Sequence, residues 1–393
     1  MLVGMGRPRT TESGGARRRP VRRWRPPHCP NPECVWHAAA DTSGWKFQRR
    51  GARSTRRSPG HPNARFRCAD CGRWFSRSTF TLDYWKKIPR LAERVYDLLN
   101  NAAGLRPAGR VLRLSPTTVQ RTQRLLARQS LLHHLEHELR LQGRLREPLA
   151  LDGNRNLVIS VHQMAEINSL YTAESGFTLD LSPFAIRQGV GKSPRKLGRR
   201  AASEQKWGLP DPRARETSVR ALLERAAGLV PPGVELELRT DEEPDYEPPI
   251  RELAARRPVR HVRVSSRFPR DGGNPLWMAN HKHRLERHSL ANLRRETIAQ
   301  SKRMWGLQDR LLVHRTWLNV TKGVSERSAR KRRETPAMKL GLETRPLAGR
   351  DLFRRRRFPG RSGLPADLQL LYEGRVKGWP NEVPGRTVPK YTY

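Results

Sequence analysis

The sequence predicts an α/β protein in which a mixed sheet flanked by helices follows a small cysteine-bearing unit and a small all-α unit. Three observations carry that reading. All four cysteines fall in two short-spaced pairs, Cys29 with Cys34 and Cys68 with Cys71. The next stretch, to residue 146, repeats its apolar residues with helical period and carries helix start and stop signals. From residue 147 onward, short strands come first and then alternate with helices. The expected boundaries are 1–27, a basic arm; 28–84, the cysteine unit; 85–146, the helical unit; 147–322, the sheet-bearing domain; and 323–393, a basic Pro/Gly-rich region. A chain of 393 residues is long enough for this division.

Charge narrows the partner. Lys and Arg number 78 against 37 Asp and Glu, a formal charge of +41. Such a chain repels itself unless a polyanion neutralises it, and Lys/Arg contacts to phosphate drive nucleic-acid binding by counterion release. A bias toward arginine would replace lysine but would not create the excess over acids. The runs at 7–25, at 330–333 (RKRR) and at 354–357 (RRRR) read as solvated phosphate-binding tails without sequence specificity. No apolar run approaches the ~18–20 residues of a membrane span. The start, MLVGMGRPRT, is too short an apolar stretch for a signal peptide. The expectation is therefore a cytoplasmic protein with no membrane partner, and four cysteines are too few for a disulfide scaffold.

The cysteine unit has the pattern of a zinc ribbon. HCPNPEC (28–34) and RFRCADCGRWFS (65–76) each offer two thiolates from one tight turn, and two turns complete a tetrahedron around structural Zn²⁺. Gly72 stands where the second turn needs positive φ. The wider first spacing leaves room for His28 or His37 to replace a cysteine.

Three helices are expected next. LAERVYDLLNNAAG (91–104) is amphipathic with a glycine stop, and RPAGRVLRLS (106–115) is a short second helix. SPTTVQRTQRLLARQS (115–130) starts with Ser115 as cap and Pro116 in the first helical position. A tight turn before the last helix suggests a helix-turn-helix. The third helix would read DNA through Thr117, Thr118, Gln120, Arg121 and Arg124, with Val119 and Leu126 facing inward.

Beyond residue 147, EPLALDG (147–153) reads as a strand ending at Asp152, followed by strands in 157–164 and 167–186 with a turn around 174–176. A basic connection at 191–200, a helix at 218–229, a strand at 234–240 ending before Asp241, a helix at 250–257 and a strand at 259–266 complete the series. A long helix from about Ala279 to Lys302 closes it. Three strands, helix, strand, helix, strand, helix is the order of a ribonuclease H-like fold, in which the first and fourth strands are neighbours. Asp152 and Asp241 would then sit side by side, with Glu286 on the closing helix. Adjacent bare carboxylates repel, whereas hard oxygen ligands suit Mg²⁺ or Mn²⁺, and a metal pair can serve an in-line displacement at phosphorus. Stepping from Glu286 by three or four gives Leu290, Leu293, Thr297, Gln300 and Met304, a partly apolar stripe toward the sheet. Glu296 is the rival third carboxylate, about 100° from Thr297 round the helix. Asp241 also opens an acidic run with Glu242, Glu243, Asp245 and Glu247, in which it is favoured because it comes first after the strand.

Spread over roughly residues 28–320, the sequence resembles the insertion-sequence DDE transposases of bacteria. RFRCADCGRWFSRSTFTLDYW (65–85) is similar to the zinc-ribbon motif that precedes a helix-turn-helix in that family. RLERHSLANLRRETIAQSKR (284–303) followed by LLVHRTWLNV (311–320) resembles the signature around its catalytic glutamate, which favours Glu286. TDEEPDY (240–246) and LALDG (149–153) resemble the segments around its two aspartates. A likeness centred on RRETIA would make Glu296 the carried residue. The resemblance implies a catalytic set of Asp152, Asp241 and Glu286 holding Mg²⁺, with strand cleavage at the ends of a mobile element and transfer of the freed 3′-hydroxyl to target DNA. It further implies that double-stranded DNA bearing terminal inverted repeats is the partner, and that synapsis of two ends needs a homo-oligomer of at least two copies. The alternatives are a DNA-binding protein or inactive remnant without catalysis, and an RNA-processing nuclease on the same fold.

Overall fold

The computed structural model describes residues 24–385, apart from 56–57, 85, 188, 190–192, 296 and 327–332. Two sheets organise them. The smaller is antiparallel, with β1 (Phe47–Thr55), β2 (Ser58–Cys68) and β3 (Trp74–Ser76) side by side, entered through a short helix α1 (Val35–Ala38). Its core is aromatic: Trp45, Phe66, Phe75 and Phe80 pack beside Cys29, Cys34 and Cys68.

The larger sheet holds β4 (Leu149–Val158), β5 (Ser160–Thr172), β6 (Thr178–Ile186), β7 (Leu236–Thr240) and β8 (Val259–Arg263). Their order is β6-β5-β4-β7-β8. The first three strands pair antiparallel, while β7 runs parallel to β4 and β8 parallel to β7. The first and fourth strands of the sheet are therefore neighbours.

Helices α2 (Leu91–Asn100), α3 (Leu105–Leu112) and α4 (Pro116–Leu141) lie between the two sheets in the chain. Ser115 Oγ accepts the Thr118 amide at 3.2 Å, satisfying a donor that a helix start leaves free. Arg113, Leu114 and Ser115 make the tight turn before α4. Gly109 permits it, because a Cβ there would come 2.7 Å from the Leu114 carbonyl oxygen. Val119 and Leu126 are buried. The helix runs past residue 130 because its second half buries Leu131, Leu132 and Leu135 in the main core. That core is continuous from α2 through α4 to Leu149, Leu151 and Leu170 of the sheet, and to Leu222 of α6 (Ala214–Ala227).

The remaining helices are α5 (Pro194–Trp207), α7 (Glu247–Ala254), α8 (Trp277–Ser289), α9 (Met304–Thr316), α10 (Pro336–Lys339), α11 (Gly349–Phe353) and α12 (Ala366–Glu373). Four details depart from the sequence expectation. Asp152 does not end its strand; β4 continues to Val158 and turns at Ile159, whose φ is 71°. Ladder pairing of Asn154, Arg155 and Asn156 with β5 sustains that extension without apolar alternation, so the segment 157–164 straddles the hairpin. The basic connection contains α5, which has no buried residue and is tied by Arg187 and Arg200 to Glu204. The closing helix stops at Ser289, where Leu290 turns extended (φ −110°, ψ 112°) and the Ala102 amide takes the Ser289 carbonyl at 2.8 Å. Leu290 and Leu293 are still buried, but in a separate cluster with Met304 and Trp379.

The fourth departure is the C-terminal region, which docks onto the rest of the chain. Phe358 inserts beside His28, His37 and Phe80 of the cysteine unit. Within the RRRR run, Arg356 is buried and Arg357 pairs with Glu136 of α4 at 2.9 Å, while Arg354 and Arg355 remain exposed. Glu382 is buried and accepts the Met304 amide at 2.6 Å. Of the RKRR run only Arg333 lies among the described residues, as do only residues 24–27 of the basic arm.

Phe358 fills the joint between this region and the cysteine unit, so Phe358→Ala should lower unfolding free energy by ~3–5 kcal/mol, measured by urea denaturation followed by tryptophan fluorescence.

Candidate active site and metal centre

The parallel register sets the centre of the site. Leu149 pairs with Leu238 and Ala150 with Arg239. Asp152 and Asp241 have the same offset, so they project from adjacent strands at the point where β7 leaves the sheet. Ala150 and its β5 partner Tyr171 pack with Ala279 of α8. Residues alternate across a strand, so Asp152 faces α8 too. There its carboxylate lies 3.3 Å from His283 Nδ1, while its other oxygen accepts the Gly153 amide at 2.8 Å.

Glu286 is 0% exposed on α8, one turn beyond His283. No Lys or Arg pairs with it among the described residues. Its oxygens accept from Tyr171 Oη at 3.1 Å and Asn154 Nδ2 at 3.4 Å. Asn154 in turn takes a 2.7 Å hydrogen bond from Arg287. Both donors are neutral, so no side-chain cation meets this buried carboxyl group directly. Burial, and then the Glu286 charge, push the Tyr171 phenol well above its ordinary range.

Among the described residues neither Asp241 nor Glu242 of the acidic run pairs with a cation, and of the two Asp241 stands beside Asp152. Arg215 takes Glu243 at 3.0 Å, Asp245 at 2.7 Å and buried Glu166 at 2.7 Å. Glu242 accepts the Ser266 amide at 3.4 Å, and Glu247 lies 3.8 Å from His261. Burial and then the neighbouring Asp152 charge raise the Asp241 carboxyl above its usual value. Burial pulls His283 down, but the hydrogen bond and charge of Asp152, with Glu286, more than offset this and its pKa is raised. Among the described residues, His283 Nε2 is buried without a hydrogen-bond partner. Lys282, beside it, is pushed down to about 7 by burial and then by Lys322. As placed, the three carboxylates do not form a group with ligand atoms all within 4.8 Å, so sharing one ion requires side-chain rotation. Glu296, the rival third carboxylate, lies outside the described residues.

The four cysteines gather and could hold a metal ion: their sulfurs all lie within 4.8 Å of one another. Cys29 and Cys71 are 3.6 Å apart and Cys34 and Cys68 3.9 Å. Four Zn–S bonds of ~2.3 Å give a tetrahedron edge of about 3.8 Å, so the donor set fits Zn²⁺. Gly72 closes the second turn at φ +69°. His28 and His37 stay out of the set; each directs Nδ1 to the Cys29 carbonyl at 2.9 Å. Burial raises Cys34 to about 11. Burial raises Cys71 as well, but the Arg73 amide and hydrogen bonds from Asn31 and Cys29 outweigh it and bring that thiol to about 7.

On α4, Thr117 and Arg121 are exposed and Thr118 and Gln120 half-buried. Thr118 Oγ1 is 2.9 Å from Ser115 Oγ. Arg124 is drawn inward: it donates to the Glu373 carbonyl and lies 5.0 Å over the Trp305 ring.

Sequence reasoning missed His283, Tyr171 and Asn154. Asn154 follows Asp152 by two and so shares its strand face, and His283 precedes Glu286 by three on one helix face; both spacings were legible. Tyr171 depends on the β4–β5 register and was not. No protein-family model matches the chain, and no curated protein matches it in sequence. Among the described residues, no helix is long and apolar enough to cross a membrane.

The His283–Asp152 contact gives a pH signature. A group whose folded pKa is raised contributes its full stability below the unfolded value, 6.5 for His, and loses it as pH rises through the folded value. Urea unfolding from about pH 6 to about pH 9 should show a decline in wild-type stability that His283→Gln lacks.

Proposed function

We propose that the chain is a DDE-type transposase with a ribonuclease H-like catalytic domain, cutting and joining DNA at the ends of a mobile element. The observation that carries the reading is the β4–β7 register, which aligns Asp152 with Asp241, beneath a helix whose one buried acid is Glu286. The strand order β6-β5-β4-β7-β8 supports it. Three carboxylates without a Lys or Arg partner, beside the orphan Nε2 of His283, suit a divalent cation. Asp152, Asp241 and Glu286 would hold Mg²⁺ or Mn²⁺, which would supply Lewis-acid charge for displacement at phosphorus.

The chain's own residues do the positioning. His283 orients Asp152, Tyr171 and Asn154 fix Glu286, and Arg287 steadies Asn154 and lies ready for a phosphate oxygen. Thr117 and Arg121 at the start of α4 and exposed Arg49 and Arg50 of β1 offer contacts to double-stranded DNA carrying terminal inverted repeats. A zinc ion in the four-cysteine set would hold β1–β3 in shape. Two copies acting together would bring two element ends to one target DNA.

A second reading has its own support: as placed, the three carboxylates do not converge on one ion. In that reading the chain binds DNA without cutting it. Cleavage assays on end-bearing DNA with Mg²⁺ or Mn²⁺ separate the two. On the transposase reading, Asp241→Asn lowers strand cleavage by on the order of 10²–10³-fold or more while gel-shift affinity for the ends is unchanged. Wild-type protein that binds ends yet never nicks them leaves the DNA-binding reading in place.

A further inference from the structure

A second cluster of metal-ligating side chains lies away from both sites described above. His133 and His137 are four apart on α4, so their rings meet edge to face on one helix face, with centroids 4.5 Å apart. Both are buried. Their Nε2 atoms point at the same oxygen, Oε1 of Glu343, at 2.8 Å from His137 and 3.6 Å from His133. Glu343 follows α10, and its backbone is fixed by turns onto the Ala337 carbonyl and by Arg140, which donates to the Gly341 carbonyl at 2.9 Å. The intervening His134 takes no part; it bonds the Leu179 carbonyl at 2.7 Å and faces Glu138 at 3.2 Å.

We propose that His133, His137 and Glu343 form a second transition-metal site, with Zn²⁺ as the fitting ion, that clasps the segment after α10 onto α4. A hydrogen bond explains one histidine at 2.8 Å; it does not explain a second imidazole aimed at the same atom from 3.6 Å, beyond hydrogen-bond reach. A tetrahedral ion with bonds of ~2.0–2.1 Å has ligand atoms about 3.3 Å apart, a separation these two distances bracket. All three ligand atoms lie within 4.8 Å of one another. Two imidazoles and a carboxylate are borderline donors that suit Zn²⁺ over Mg²⁺. With three protein ligands, a fourth position is left for water. Phe177 stands 6.0 Å from the His137 ring and screens it on one side. The site does not depend on the catalytic reading.

Metal content of the purified full chain tests this. After stripping by chelation, reloading with excess Zn²⁺ and gel filtration, the His133→Gln/His137→Gln double variant should hold one equivalent fewer than wild type. Cys29→Ser should keep that equivalent. A cobalt titration of the wild type guards against misfolding of the variants. Co²⁺ at the cysteines gives a thiolate charge-transfer band, whereas Co²⁺ on two imidazoles and a carboxylate adds visible ligand-field absorption without one. Equal zinc content in wild type and the double variant, or cobalt absorption that rises only with the thiolate band, would overturn the proposal.

Discussion

The parallel pairing of β4 with β7 is the constraint on which the candidate catalytic centre rests. Adjacent strands lie ~4.8 Å apart, so the register alone brings two like charges into each other's field. The pairing is short, Leu149 with Leu238 and Ala150 with Arg239, and it is held by apolar alternation in β7. Leu236 and Leu238 enter the main core, which leaves Arg239 and Asp241 on the opposite face with Asp152. A one-residue slip would expose those leucines and turn Asp241 away. The same burial that fixes the acid's phase also withdraws it from water and raises its pKa. Stability and unfavourable electrostatics are thus built from one register.

Much of this was legible in the sequence, for identifiable reasons. Cysteine spacing, the Ser115 cap and the alternation of 234–240 are local signals: the four cysteines do gather, Ser115 does cap α4, and β7 forms over Leu236–Thr240, two residues inside the expected strand. The strand ending before Asp241 was legible because β7 alternates buried leucines with charged residues. β4 was not, because its second half is polar and owes its extension to pairing with β5. The closing helix was overextended for a similar reason. The apolar stripe beyond Ser289 is real, but it is buried by a turn and not by continued helix. Glu286 keeps its place because it lies before that break. Its partners Tyr171 and Asn154 come from two strands, which no single periodicity reveals.

The acidic run shows how a chain of charge +41 uses its few acids. Glu166, Glu243 and Asp245 converge on Arg215, and Arg225, further along the same helix α6, gathers Asp180 and Glu138. Most acids near the core are spent on arginines that would otherwise be buried alone. Against that background, Asp152, Asp241 and Glu286 have no Lys or Arg partner among the described residues, as is also true of buried Asp309 and Glu382 elsewhere in the fold.

The docking of residues 349–385 carries a consequence for biosynthesis. A chain made from its N-terminus presents the aromatic centre of the cysteine unit and the underside of α4 well before Phe358, Tyr372 and Trp379 exist to cover them. During that interval the apolar surfaces are open to chaperones and to other nascent chains. A premature stop or late frameshift would therefore not shorten a dispensable tail. It would strand the molecule in its half-covered state, with the surfaces that Phe358, Tyr372 and Trp379 bury left open.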